Sequence, residues 1–188
     1  MEETFTFNGF CIDAFRVQHN VTCYGFSIRV PRTGKFLVDK AREAGVPQCA
    51  WNRLQKGELV EVDGVLYTPE MVLGEERKGI KVTYCTDTRP VPMIAKHAEN
   101  AAGADLFICE GMYGEKEKLA KARENKHMTM YEAARIAKEA QPKELWLTHY
   151  SPSLVRPEPF MDQVRQVFAQ ARAGEDLKFR QLDFEDED

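Results

Sequence analysis

Lys81-Val-Thr-Tyr-Cys-Thr-Asp87-Thr-Arg-Pro90 is the stretch whose reading decides the fold. Residues 81–86 are β-branched or aromatic at most positions and follow the basic Arg77-Lys78-Gly79, which predicts a strand. The run stops on Asp87, and Pro90 opens a helical pattern. A carboxylate at the carboxyl end of a strand, facing the next helix, lies where open α/β sheets place their ligand crevice. The pattern recurs. Leu106-Phe-Ile-Cys109 ends on Glu110, Leu145-Trp-Leu-Thr148 ends on His149, and Ile12-Asp-Ala-Phe-Arg-Val-Gln18 ends on His19. Four predicted strands thus deliver His19, Asp87, Glu110 and His149 to one edge of an α/β fold.

A chain of 188 residues, 43% hydrophobic and 30% charged, is expected to be a single domain (1–188) with a sizeable core. No apolar run approaches a membrane span. Met1-Glu-Glu-Thr is acidic with no apolar segment behind it, so no signal peptide is expected and a cytoplasmic location follows. The five cysteines (11, 23, 49, 85 and 109) form no CxxC pair, which predicts reduced, mostly buried thiols and argues against a cysteine zinc site. A net charge of −4 does not mark a nucleic-acid binder, although a local basic patch can hide in the sum. The acidic tail Glu185-Asp-Glu-Asp188 reads as a solvated end.

From the amino end, Phe5 and Phe7 alternate with Thr4 and Thr6, and Asn8-Gly9 is a hairpin turn signal, so residues 3–18 predict a hairpin. Residues 23–30 predict the next strand. The segment 31–78 then changes character, broken by Gly34, Gly45-Val-Pro47, Gly57, Asp63-Gly64, Pro69 and Gly74. It reads as an excursion from the sheet, with a short helix at 38–44 and a hairpin around Asp63-Gly64. Its Lys35, Lys40, Arg42, Arg53 and Lys56 outnumber the acids between them, with Trp51 in their midst; composition alone favours a solvated loop over a binding face. Beyond Gly79, helices are predicted over 90–102, 115–125, 130–140 and 159–173, alternating with strands. Thr129-Met-Tyr-Glu132 is a capping box for the third of these helices.

Of the four histidines, His97 lies within a helical pattern among Lys96, Glu99 and Asn100 and reads as a surface residue. His19, His127 and His149, with Asp87, lie at strand ends and loop starts. Imidazole and carboxylate ligands gathered at a crevice suit zinc with an open coordination position. Two such ions, with Asp87 as the bridge between them, suit phosphodiester hydrolysis. Glu110 and His127 can then form a carboxylate–histidine pair that hands a proton to the leaving oxygen. Manganese or iron would accept similar ligands.

These pieces, in this order, match a known family. Val17-Gln-His19 before Tyr24-Gly-Phe, Gly79-Ile-Lys-Val before Thr86-Asp-Thr-Arg89, Cys109-Glu-Gly-Met-Tyr, His127-Met-Thr129 and Leu147-Thr-His149-Tyr-Ser resemble the C-terminal half of ribonuclease Z. That family comprises the tRNA 3′-end endonucleases of the metallo-β-lactamase superfamily. The resemblance implies half of an αββα sandwich, a mixed sheet with flanking helices, and a protruding tRNA-gripping arm at 31–78. It implies that His19 ligates one zinc, that Asp87 bridges, and that His149 ligates the second zinc. Glu110 and His127 become the proton-transfer pair, with precursor tRNA as substrate and a homodimer as the complete enzyme.

The sequence also departs from the family. The HxHxDH signature of the N-terminal half is absent, the arm's Gly-Pro element appears as Gln48-Cys49-Ala50 after Pro47, and Cys109 stands where a His leads the Glu110 motif. Three readings follow. The chain is a ribonuclease Z-like hydrolase that acts once a chain or segment supplies the N-terminal half; it is a related phosphodiesterase with a non-tRNA substrate; or it is a non-catalytic remnant or binding module.

Overall fold

The computed structural model describes residues 2–99 and 103–185, arranged in two compact units: Met1–Val30 with Ile80–Asp188, and Pro31–Gly79. The first unit is built on a seven-stranded sheet. Strands β1 (Glu2–Phe7), β2 (Phe10–Arg16) and β3 (Tyr24–Arg32) form an antiparallel meander, in which Asn8 and Gly9 supply the two positive φ values (47° and 81°) that a tight hairpin turn demands. The sheet continues through β6 (Arg77–Cys85), β7 (Leu106–Glu110), β8 (Leu145–Thr148) and β9 (Ala171–Ala173), parallel from β6 onward. Parallel neighbours require crossovers. These are α3 (Pro92–Ala98) between β6 and β7, α4 (Leu119–Asn125) and α5 (Met130–Ala140) between β7 and β8, and α6 (Glu158–Val167) before β9.

Helix α5 packs between α3 and α6, and together they cover one side of the sheet. Phe15, Ile94, Phe107, Met128, Met130, Leu145, Leu147 and Met161 form the core there. On the antiparallel half, that side carries smaller and polar residues. Gly25 leaves room for the Phe15 ring, whose atoms lie 2.4 Å from where a Cβ would stand, and the Ser27 and Thr83 hydroxyls share a hydrogen bond at 2.8 Å. The bulky residues point the other way. Phe5, Ile12 and Ile28 form one row across three strands and Ala14 with Phe26 the next, and Phe26 and Ile28 remain 39% and 37% exposed.

The second unit has its own core of Ala41, Val46, Ala50, Leu54, Val60, Val72 and Leu73. It contains α1 (Val38–Glu43), α2 (Trp51–Gln55) and the hairpin β4 (Val60–Val62) and β5 (Val65–Tyr67), turned at Asp63-Gly64 with both residues at positive φ.

Several expectations need correction. The helix expected over 159–173 stops at Val167, where Phe168 turns extended and buries its ring, and Ala171–Ala173 instead pairs with β8 as the edge strand. Helix α3 ends at Ala98, and residues 100–102 of the expected helix lie outside the described residues, as do residues 186–188 of the acidic tail. The helix expected over 115–125 begins as a 3₁₀ turn at Lys116–Lys118, and α2 lies where only irregular chain was expected. His97 is not a surface residue. Its ring stacks on Phe15 at 4.1 Å, and its carbonyl accepts hydrogen bonds from Ser27 and Thr83. The neighbouring Lys96 and Glu99, both exposed, gave the misleading signal. No helix among the described residues is long and apolar enough to cross a membrane.

Candidate active site

The loops at the carboxyl ends of β6, β7 and β8 share one edge of the first unit. After β6 the chain turns sharply at Asp87, a non-glycine residue at φ 53°, and after β8 it turns at His149, φ 54°. Left-handed backbone at side-chain-bearing residues is uncommon and gathers at functional sites. Between the loops, Thr88 is fully buried. It donates its N–H to Glu110 Oε1 (2.5 Å) and its hydroxyl to the Arg89 carbonyl (2.7 Å), and it accepts the Gln18 N–H (3.1 Å). Arg89 N–H donates back to the Gln18 carbonyl at 2.9 Å, so the loop bearing Asp87 is stitched to the segment bearing His19. His127 arrives from the turn between two helices. Lys126 closes α4 at φ 59°, its carbonyl 3.1 Å from His19 Nδ1, and three residues later Thr129 caps α5 with Glu132 in a reciprocal box.

The side chains converge. His149 Nε2 lies 3.3 Å from Asp87 Oδ1, His127 Nδ1 lies 3.1 Å from Glu110 Oε2, and the His127 ring centre is 4.8 Å from that of His19 and 5.4 Å from that of His149. Two sets of potential ligand atoms emerge, each within 4.8 Å: His19, Asp87 and His127; and Glu110, His127 and His149. The sequence-based set of His19, Asp87 and His149 is therefore divided between them. His127, assigned a proton role from sequence, is the residue both sets share. Nitrogen and carboxylate donors at this spacing suit a zinc-type ion, and the half-exposed Asp87 and His149 (41% and 34%) leave it an open side.

Glu110 sits at the other extreme, fully buried. Burial pushes its carboxyl up to about 7 against the pull of the Thr88 and Met128 N–H groups and His149, while the Asp87 charge adds to the rise. Burial and the neighbouring His19 hold the His127 imidazole below its ordinary value, against the pull of Asp87. Two backbone N–H groups aimed at Glu110 favour its carboxylate form. The pair is accordingly assigned as a carboxylate accepting from Nδ1–H of His127, which leaves Nε2 for the cluster or a substrate.

The basic residues expected to meet substrate all belong to the second unit. Lys40 donates to the Leu73 carbonyl at 2.6 Å, Arg53 pairs with Glu58 at 2.7 Å, Arg42 faces Asp39 at 3.8 Å, and Lys35 and Lys56 are exposed. Thr88, Arg89 and Glu132 were not singled out as site residues from sequence. The signal was present, since Arg89 lies in the decisive stretch and Glu132 in the capping box.

Comparisons with known proteins identify relatives of the chain and of its fold. A family profile described as a Beta-lactamase superfamily domain matches residues 71–150. The chain is 58% identical over 184 residues to the Ribonuclease Z of Lachnoclostridium phytofermentans, covering 98% of this chain and 60% of that protein. It is 57% identical over 186 residues to the Ribonuclease Z of Agathobacter rectalis, covering 99% and 60%. The chain thus spans about 60% of the length of these relatives. Among solved structures, the metallo-β-lactamase fold protein YhfI from Bacillus subtilis aligns with a TM-score of 0.57 at 22% identity, covering 92% of this chain and 50% of that one. The short form of human tRNase Z aligns with a TM-score of 0.53 at 21% identity, covering 93% and 44%. At these identities the two structures establish the fold alone.

Proposed function

The chain is a ribonuclease Z homologue with the metallo-β-lactamase fold, matched over nearly all its own length and about 60% of its relatives', and from that premise we propose that it carries one half of the active site of a metal-dependent endoribonuclease. The observation that carries this reading is the meeting of His19, Asp87, Glu110, His127 and His149 at one edge of the sheet. The substrate class is the phosphodiester of a precursor tRNA 3′ end, as the family resemblance implies, handled in the cytoplasm by a homodimer. The second unit is the substrate-gripping arm, with Lys35, Lys40, Arg42, Arg53 and Lys56 as its phosphate contacts.

His19, Asp87 and His149 would hold up to two zinc ions, Asp87 as the ligand common to both; manganese or iron would suit the same donors. When bound, the ions supply Lewis acidity toward the phosphodiester. The protein's own part is to move a proton. In its imidazolium form His127, its Nδ1–H held by Glu110, presents Nε2–H to the leaving oxygen and gives up that proton as the P–O bond breaks. Buried Glu110 fixes the ring and offsets the charge of the protonated imidazole. The exposed sheet face bearing Phe26 and Ile28 receives the part of the enzyme that this chain does not span, which carries the HxHxDH ligands.

The test is reconstitution. The chain is mixed with one bearing HxHxDH, and cleavage of a precursor tRNA is compared with that of bis(p-nitrophenyl) phosphate. Preference for the tRNA is expected, with loss of activity in Asp87→Ala and His149→Ala mixtures whose circular dichroism is unchanged. Near-normal turnover by Asp87→Ala would remove the bridging role. Cleavage of the simple diester alone would remove the tRNA assignment.

A further inference from the structure

Arg89 lies two residues beyond Asp87, and its guanidinium reaches the back of the His127 loop. Nη1 donates to the His127 carbonyl at 2.5 Å and to Glu132 Oε2 at 3.2 Å, and Nη2 donates to Glu132 Oε1 at 2.6 Å. Both side chains are only 15% exposed. Glu132 Oε2 also accepts from the Thr129 N–H (3.0 Å) and hydroxyl (3.2 Å). The three residues 127–129 are thus held at successive points: the carbonyl of His127 by Arg89, the N–H of Met128 by Glu110 at 3.1 Å, and Thr129 by Glu132.

The cap of α5 does not need Arg89, because Thr129 and Glu132 complete their reciprocal box alone. A lone, partly buried ion pair is also a weak source of stability. What the guanidinium adds is a donor to the one carbonyl whose direction is tied to the His127 ring through a single residue's torsions. Released, the 127–128 peptide can rotate, which carries the Met128 N–H off Glu110 and turns the imidazole away from it. A planar fork that serves a carbonyl and a carboxylate together is a task for arginine rather than lysine. We propose that Arg89, braced by Glu132, is a positioning residue that sets the aim of the His127 imidazole toward Glu110. The catalytic consequence rests on the proton role given to His127 above; the positional claim does not.

The experiment uses this chain labelled with 15N and 13C, reading the His127 ring signals and their contacts by NMR, with the α5 amide signals as the control for folding. Wild type should give one sharp set of His127 ring signals with a contact to the Met128 amide. Arg89→Met should broaden or split that set and lose the contact while the His149 ring and α5 amides hold. Arg89→Lys should restore it only in part. Glu132→Gln, which keeps a side chain able to cap, should show the same defect more weakly and serves if Arg89→Met fails to fold. In the reconstituted enzyme, Arg89→Met should lower kcat by roughly tenfold to a hundredfold with KM within about twofold and metal content unchanged. Unaltered His127 ring signals in a folded Arg89→Met chain overturn the proposal, as does full restoration by Arg89→Lys. If the ring responds as expected while the reconstituted protein cleaves no phosphodiester, the positioning stands and the nuclease reading falls.

Discussion

Asp87 and His149 each hold a left-handed backbone at φ near 54°, and residues of that kind cost about 1–3 kcal/mol apiece relative to relaxed chain. Three hydrogen bonds to Thr88 anchor the turn at Asp87, and the β7–β8 ladder, which pairs Glu110 with Thr148, anchors the chain just before His149. His127 is fixed by polar contacts instead. Replacing it with Ala should slow cleavage by roughly 10²–10⁴. Metal content, measured by atomic absorption, should be retained, because the proposed proton role uses both ring nitrogens, Nδ1 on Glu110 and Nε2 on the leaving oxygen; loss of an ion in that variant would make His127 a ligand first. Lys81 gives a test away from the site. Burial, with the Arg29 charge next, lowers its ammonium from 10.5 to about 8, although Nζ keeps the Glu99 carbonyl at 2.8 Å. The unfolded chain therefore holds this proton between pH 8 and 10.5 while the folded one releases it, so stability attributable to Lys81 rises with pH across that window. Lys81→Met should stabilise the fold at pH 7 by on the order of 1–2 kcal/mol and flatten the rise, read from urea midpoints; an unchanged slope would mean the ammonium is solvated. The strand-end positions of Asp87, Glu110 and His149 were readable because short runs of β-branched, aromatic and aliphatic residues stop abruptly at them. Arg89 lay in the same stretch, but its role was not readable, because its partners, the His127 carbonyl and the Glu132 carboxylate, are far away in sequence and no local pattern announces the pairing.

At the scale of elements, the hairpins and central strands follow from alternation and Asn-Gly or Asp-Gly turns, and α5 from its capping box. The edge strand β9 could not be read from sequence. Ala171-Arg-Ala carries no strand preference, and it is extended only because β8 offers it a ladder and Phe168 ends the helix before it. Tyr150 reinforces that ladder. Its hydroxyl donates to the Leu147 carbonyl at 2.6 Å and accepts the Gly174 N–H at 3.1 Å, and burial pushes it up to about 12. Tyr150→Phe should cost about 1 kcal/mol and raise amide exchange at 171–174 before any other part of the sheet. Uniform exchange across the sheet would show that β9 opens only with the whole.

On the scale of the whole molecule, the sequence anticipated an excursion from the sheet but not that Pro31–Gly79 encloses seven buried apolar residues of its own. Gly and Pro scattered through a segment look like loop, and the apolar spacing inside it is too irregular to announce a core. This second unit also joins its own ends. Phe36 bridges Leu73, Leu37 N–H donates to the Val72 carbonyl (2.8 Å), Gly74 N–H to the Lys35 carbonyl (2.9 Å) and Arg77 Nε to the Thr33 carbonyl (2.9 Å). The kinetic meaning is that β3 and β6, neighbours in the sheet, need not find each other through an open loop. Once the insert has collapsed, it works as a clasp that has already lost the loop-closure entropy. Leu54→Ala, a fully buried change confined to the clasp, should therefore slow refolding of the distant sheet while leaving its unfolding rate nearly constant, followed by stopped-flow fluorescence of Trp146 in a Trp51→Phe background. An unfolding limb that moves instead would place the clasp late, fastening a sheet that had formed without it.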